Sequence, residues 1–128
     1  MHATEASPVV SHRTWWALLV GLSLCAAASG MTLREMRLLE KTGKEGINYA
    51  NYYLVGAMEG VLEAHAHGVR SGARPRICLE GRVVRPSSAR SLYDTELQRN
   101  DGVYEADMPV ELVVANALST VYSCGTTP

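Results

Sequence analysis

Cys78 and Cys124 constrain this chain more than any other feature. Once the amino-terminal segment that carries Cys25 is set aside, they are the two cysteines that remain, and two cysteines allow one pairing. In an oxidising compartment that bond closes a long loop and contributes roughly 4 kcal/mol by restricting the unfolded chain. The rest of the chain, residues 31–128, makes a small domain. Small domains bury a smaller fraction of their surface than large ones, so a cross-link matters here. The expectation is a single stapled domain over 31–128.

Residues 1–30 read as a secretory signal that is removed. His12 and Arg13 supply the basic element, and Trp15 to Ala28 is an uncharged apolar run. Ala28-Ser29-Gly30 then offers the small residues a signal peptidase selects, with Ala26 to Ala28 as a second set. Thr14 to Leu33 carries no charge and is long enough to span a bilayer. Its second half is Ala, Ser and Gly, which give little transfer energy, so cleavage rather than anchoring is expected. Leu24 stands where a lipoprotein signal needs a small residue, and Cys25 is therefore read as discarded with the signal. The expected location is the periplasm, with no membrane association after cleavage.

The signal takes one acid (Glu5) and one base (Arg13) with it, so the net charge of −1 is unchanged. A balanced chain gives no electrostatic case for nucleic acid or an anionic membrane. The charges are nonetheless segregated. Val69 to Arg90 holds six arginines (70, 74, 76, 82, 85, 90) against Glu80, whereas Asp94 to Glu111 holds six acids against Arg99.

Apolar spacing points to helices throughout. Thr32 to Gly46 places Leu33, Met36 and Leu39 on one face and Arg34, Glu35, Arg37 and Glu40 on the other, with Gly43 and Gly46 marking its end. Ile47 to Gly68 is the strongest periodic stretch, with Ile47, Asn51, Leu54, Met58, Val61, Leu62 and His65 on one face. Tyr49, Tyr52 and Tyr53 crowd its first turns, which marks it as the central helix. Gly56 and Gly60 each cost about 1 kcal/mol relative to Ala in a helix, and together form a notch into which another helix would fit. Val69 to Arg90 has too many prolines and glycines for a long helix and reads as a connector.

Ser87 or Ser88 is expected to cap the next helix, Ser88 to Asn100, whose inner register is Leu92, Tyr93, Glu96 and Leu97. Asp101 to Asp107 is a loop opened by an Asp-Gly turn. The last helix starts near Asp107 and Pro109, with Val110, Val113, Val114, Ala117 and Val121 as a stripe on which Cys124 also falls. The fold class expected is all-α, a small bundle of four to five helices with one disulfide.

No residue set reads as catalytic. His65 and His67 point about 200° apart on a helix, and no further ligands stand at zinc spacing, so no metal is expected. Glu59 and Glu63 read as a solvated face rather than an acid/base pair. No serine or cysteine sits in a nucleophile elbow, and no glycine loop cradles phosphate, so neither an enzyme nor a cofactor is expected. The arginine connector has no aromatic residue to stack bases. The acidic turn is the stretch with the composition of a protein contact: Asn100, Asp101, Gly102, Val103, Tyr104 and Glu105 set an aliphatic and an aromatic side chain among carboxylates.

The order of features resembles a known family. YYLVGAMEG in the central helix is followed by RPRICLEG in the connector, then LYDTEL, and the chain closes on PVELVVANALSTVYSC, Pro109 to Cys124. This resembles the Rap/Tai immunity proteins, which protect bacteria from peptidoglycan amidases delivered by type VI secretion. It is also similar in outline to small periplasmic acid-stress chaperones. Family members often carry a second cysteine pair in their first two helices, which this chain lacks, so that fuller pattern does not carry over. Leu79 and Glu80 also stand where a proline commonly follows the first motif cysteine.

The resemblance implies that the chain binds an amidase effector and pushes the turn Asn100 to Asp107 into its substrate groove, over the catalytic cysteine and histidine. A chaperone that exposes the Val110 to Val121 stripe at low pH, or a subunit of an envelope complex, is the alternative. A homodimer is compatible with either.

Overall fold

Thr32 begins the fold. Its hydroxyl accepts the Glu35 backbone N–H at 3.2 Å, and the Glu35 carboxylate accepts the Thr32 N–H at 2.7 Å. This reciprocal capping box satisfies donors that a helix start leaves open. The backbone bond from Thr32, helped by its hydroxyl, holds the Glu35 carboxyl below its ordinary value.

The computed structural model describes residues 30–125, so the export segment read over 1–30 lies outside the described residues except for Gly30. From Thr32 onward the chain forms four helices: α1 (Leu33–Glu40), α2 (Lys44–Arg70), α3 (Ala89–Arg99) and α4 (Val110–Val121). A 3-10 turn, Pro86–Ser88, leads into α3. Among the described residues there is no β-strand, and two isolated bridges pair Thr32 with Pro109 and Ile77 with Ser123. The fold is a small all-α bundle closed by one disulfide, Cys78–Cys124.

The long helix α2 packs against each of the other three. Its buried residues are Gly46, Ala50, Leu54 and Met58, and they meet Leu33 and Met36 of α1, Leu92 and Tyr93 of α3, and Val110, Val113, Val114, Ala117 and Leu118 of α4. Gly46 is required there: a Cβ would stand 2.0 Å from the Leu39 carbonyl oxygen, so only glycine lets α2 turn back this closely on α1. The Gly43–Gly46 stretch expected to end the first helix therefore opens the second. Gly43, at φ 104, lies between them.

Several expectations need correction. Ile47 is 46% exposed, although Gly46 beside it is buried against α1. Asn51, Val61, Leu62 and His65 are half-buried. Val121 is 45% exposed, and the stripe of α4 is completed by fully buried Leu118 instead. Neither Ser87 nor Ser88 caps α3 through its side chain; the 3-10 turn performs the entry. The Gly56–Gly60 notch holds no other helix, since nothing described lies within 4 Å of a Cβ built at either glycine.

Arg90 ties three helices together. Its Nε donates to Asn51 Oδ1 at 2.8 Å and its Nη1 to Glu40 at 2.6 Å, while the guanidinium lies over the Tyr93 ring. Burial pushes the Tyr93 hydroxyl up to about 12.

Candidate protein-contact site

The acidic turn is built from α3 outward. Glu96 lies on the inner register of α3 and is 3% exposed, a buried carboxylate that must be satisfied. Arg99, one turn on, donates to Glu96 Oε2. Asn100, at the helix end, donates to Oε1 at 2.8 Å, and the Tyr104 hydroxyl donates to the same oxygen at 2.7 Å. Asn116 of α4 completes the set by donating to the Tyr104 hydroxyl at 3.0 Å. Burial, and then the bond to Glu96, raise the Tyr104 hydroxyl above its usual value.

The next stretch is held from outside the turn. Leu33 N–H donates to Met108 O at 3.0 Å, Arg34 N–H to Ala106 O at 2.8 Å, and Val110 N–H to Met31 O at 2.9 Å. Arg34 also pairs with Asp107 at 2.8 Å. The loop expected over 101–107 is thus free over a narrower stretch. Asp101, Gly102, Val103 and Glu105 are exposed, and Gly102, at φ 79, makes the reversal. Val103 is 63% exposed at the tip.

Beside this tip runs an open groove of about 560 Å³ lined by Val103, Tyr104, Met108, Leu112, Asn116 and Thr120. A second hollow of about 170 Å³ on the other flank of α4 shares Leu112, Asn116 and Ser119 with it and reaches His65 and Ile77. The outer ridge of α4 therefore stands between two shallow grooves, with Leu112 40% exposed on its crest.

Of the six residues expected to meet a partner, Asp101, Gly102, Val103 and Glu105 face solvent. Asn100 and Tyr104 are half-buried and their polar atoms are committed to Glu96. Tyr104 is thus a support for the turn as well as a wall of the groove. The polar network itself was missed by pattern reading. Its signal was present: Glu96 sits among apolar positions, with Arg99 and Asn100 three and four residues later, the spacing at which helix side chains meet.

The arginine connector is held differently. The disulfide and the Ile77–Ser123 bridge fix its middle, with Cys78 N–H donating to Tyr122 O at 2.7 Å. His65 Nε2 accepts the backbone N–H groups of Arg76 and Ile77 at 3.0 and 3.2 Å, so it clasps the connector. Arg82 donates to the carbonyls of Leu79 and Cys78 and lies over the Tyr122 ring, 4.9 Å from its centroid. Among the described residues no ion pair joins Arg70, Arg74, Arg76, Arg82 or Arg85 to the acidic turn.

Among the described residues no group of three or more His, Cys, Asp or Glu gathers to hold a metal, and no helix is long and apolar enough to cross a membrane. Comparison with protein-family models, with curated proteins and with solved structures finds no match to this chain.

Proposed function

We propose that this chain is a protein-binding domain of the cell envelope that blocks a peptidoglycan amidase by occupying its cleft, as an immunity protein does. The observation that carries this reading is the rigid tip. Val103 projects into solvent, while the residues on either side are fixed by the Glu96–Tyr104–Asn116 network and by pairing with Met31 to Arg34. A side chain held ready in this way loses little freedom on binding, so more of its contact energy appears as affinity. The exposed carboxylates of Asp101 and Glu105 flank it and favour a basic rim on the partner. The groove beside the tip gives the partner's own apolar residues somewhere to go. The resemblance over Pro109 to Cys124 names the class of partner.

The test asks first whether a cell-wall amidase is encoded beside this chain, and then measures binding by calorimetry and peptidoglycan hydrolysis in parallel. The wild type should bind and suppress hydrolysis. Val103→Asp should weaken binding roughly tenfold or more with its unfolding midpoint unchanged. Wild-type affinity in that variant, or no binding by the wild type, would remove the proposal. Tyr104→Ala is a poorer probe, since it also strips a hydrogen bond from buried Glu96.

A further inference from the structure

We propose that the fold carries a receiving site for its own processed amino terminus: cleavage after Gly30 places the new α-ammonium of Met31 against the Tyr53 hydroxyl and the Glu111 carboxylate. This rests on the export reading of residues 1–30 and assigns the cut end a structural role.

The site is built from two helices. The Met31 backbone N–H donates to the Tyr53 hydroxyl of α2 at 2.6 Å, and that hydroxyl donates to Glu111 Oε1 in the first turn of α4. Burial, with Glu111 beside it, raises the Tyr53 hydroxyl above its usual value. Gly30 lies directly on the carboxylate. A Cβ there would come within 2.4 and 2.5 Å of the two Glu111 oxygens. Glycine suits the peptidase, which selects a small residue, and a larger residue here would push the flexible Glu111 side chain aside. Removing Gly30 leaves the carboxylate facing the Met31 nitrogen.

Met31 is not free to swing away. Its carbonyl accepts the Val110 N–H at 2.9 Å, the neighbouring Thr32 pairs with Pro109, and its side chain packs on the core. An amide nitrogen has one proton, already given to Tyr53. An ammonium has three, so it keeps that bond and gains protons to offer Glu111. No ion pair among the described residues otherwise engages Glu111.

The charged and titratable groups around this point are Tyr53 from α2, Glu111 from α4 and Glu35 from α1. Arg34 and Asp107 stand nearby but pair with each other. The balance is acidic and favours a cation. An amine whose charged form is favoured in the fold contributes stability at a pH below its ordinary value near 8, and that contribution is lost as pH rises past its value in the fold.

Intact mass of the exported protein gives its first residue. Denaturant unfolding is then compared for a chain released by a protease cutting before Met31 and a chain retaining Ser29-Gly30, each with Glu111 and with Glu111→Gln, at a pH of about 6.5 and about 9.5. At the lower pH the Met31 chain should have an unfolding constant roughly tenfold smaller than the longer chain. The difference should disappear at the higher pH, and should be absent in Glu111→Gln. Tyr53→Phe, which keeps the ring, should reduce it. Equal constants at both pH values, or a difference that survives Glu111→Gln, would overturn the proposal. So would a mass placing the start of the exported chain at another residue. A mass showing no cleavage would overturn the export reading with it.

Discussion

The acidic turn and the arginine connector are loops of opposite charge, and they are secured by opposite means. The turn is held by buried noncovalent bonds: Glu96 gathers Arg99, Asn100 and Tyr104, and the backbone of Ala106 to Val110 pairs with Met31 to Arg34. The connector depends on a covalent bond with one backbone bridge beside it, one imidazole and an arginine that caps its own turn. Among the described residues no ion pair joins Arg70, Arg74, Arg76, Arg82 or Arg85 to the turn. The first is therefore tied to the core it grows from, while the second depends in part on a bond that a reductant can break.

The largest expected effect comes from breaking the connector. Replacing Cys78 and Cys124 together with serine should lower stability by about 4 kcal/mol in the chain-entropy account. Hydrogen exchange should show that global loss at every core amide and, in addition, a local opening confined to residues 71–88 and absent from the turn. Equal loosening of both loops would erase the contrast.

Next in size is Glu96→Ala. It removes the acceptor for Arg99, Asn100 and Tyr104 at a site that is 3% exposed, and should cost roughly 2–4 kcal/mol in denaturant titration. Its effect should fall on the turn and leave the disulfide-held segment in place. A loss below about 1 kcal/mol would mean that water satisfies the three donors as well as the carboxylate does.

The smallest effect is the most selective. Tyr104, Tyr93 and Tyr53 all have raised hydroxyl values, with Tyr93 at about 12. The folded state holds these protons more tightly than the unfolded state. Stability is therefore retained below the ordinary tyrosine value near 10 and is lost as pH climbs from about 10 toward 12. Tyr104→Phe should cost about 1 kcal/mol at neutral pH and make the alkaline fall shallower, measured as unfolding midpoint against pH. An unchanged alkaline slope would place the sensitivity in the other two tyrosines alone.

Much of the architecture is legible in the sequence. The inner register of α3 (Leu92, Tyr93, Glu96) and most of that of α4 follow from spacing, and the disulfide follows from counting cysteines. Ile47 and Val121 show where spacing stops being informative. Periodicity fixes the angle of a side chain around its helix but not where along the axis the neighbours end, so residues in the terminal turns can share the inner angle and still meet water.

The site was half legible. Its exposed acids and Val103 could be read from composition. The inward turn of Tyr104 depended on Asn116, twelve residues away on another helix, and no local pattern carries that. Spacing places His65 on the inner face of its helix, but its two backbone partners lie eleven and twelve residues on, in a segment without regular structure.

The solvent side of α2 is bare at Gly56 and Gly60, on consecutive turns. No described residue comes within 4 Å of a Cβ built at either position, so a methyl group would displace nothing described. The longest described helix thus has open space beside it at mid-length. That same stretch is the place where the chain has room to be made sturdier without touching either loop.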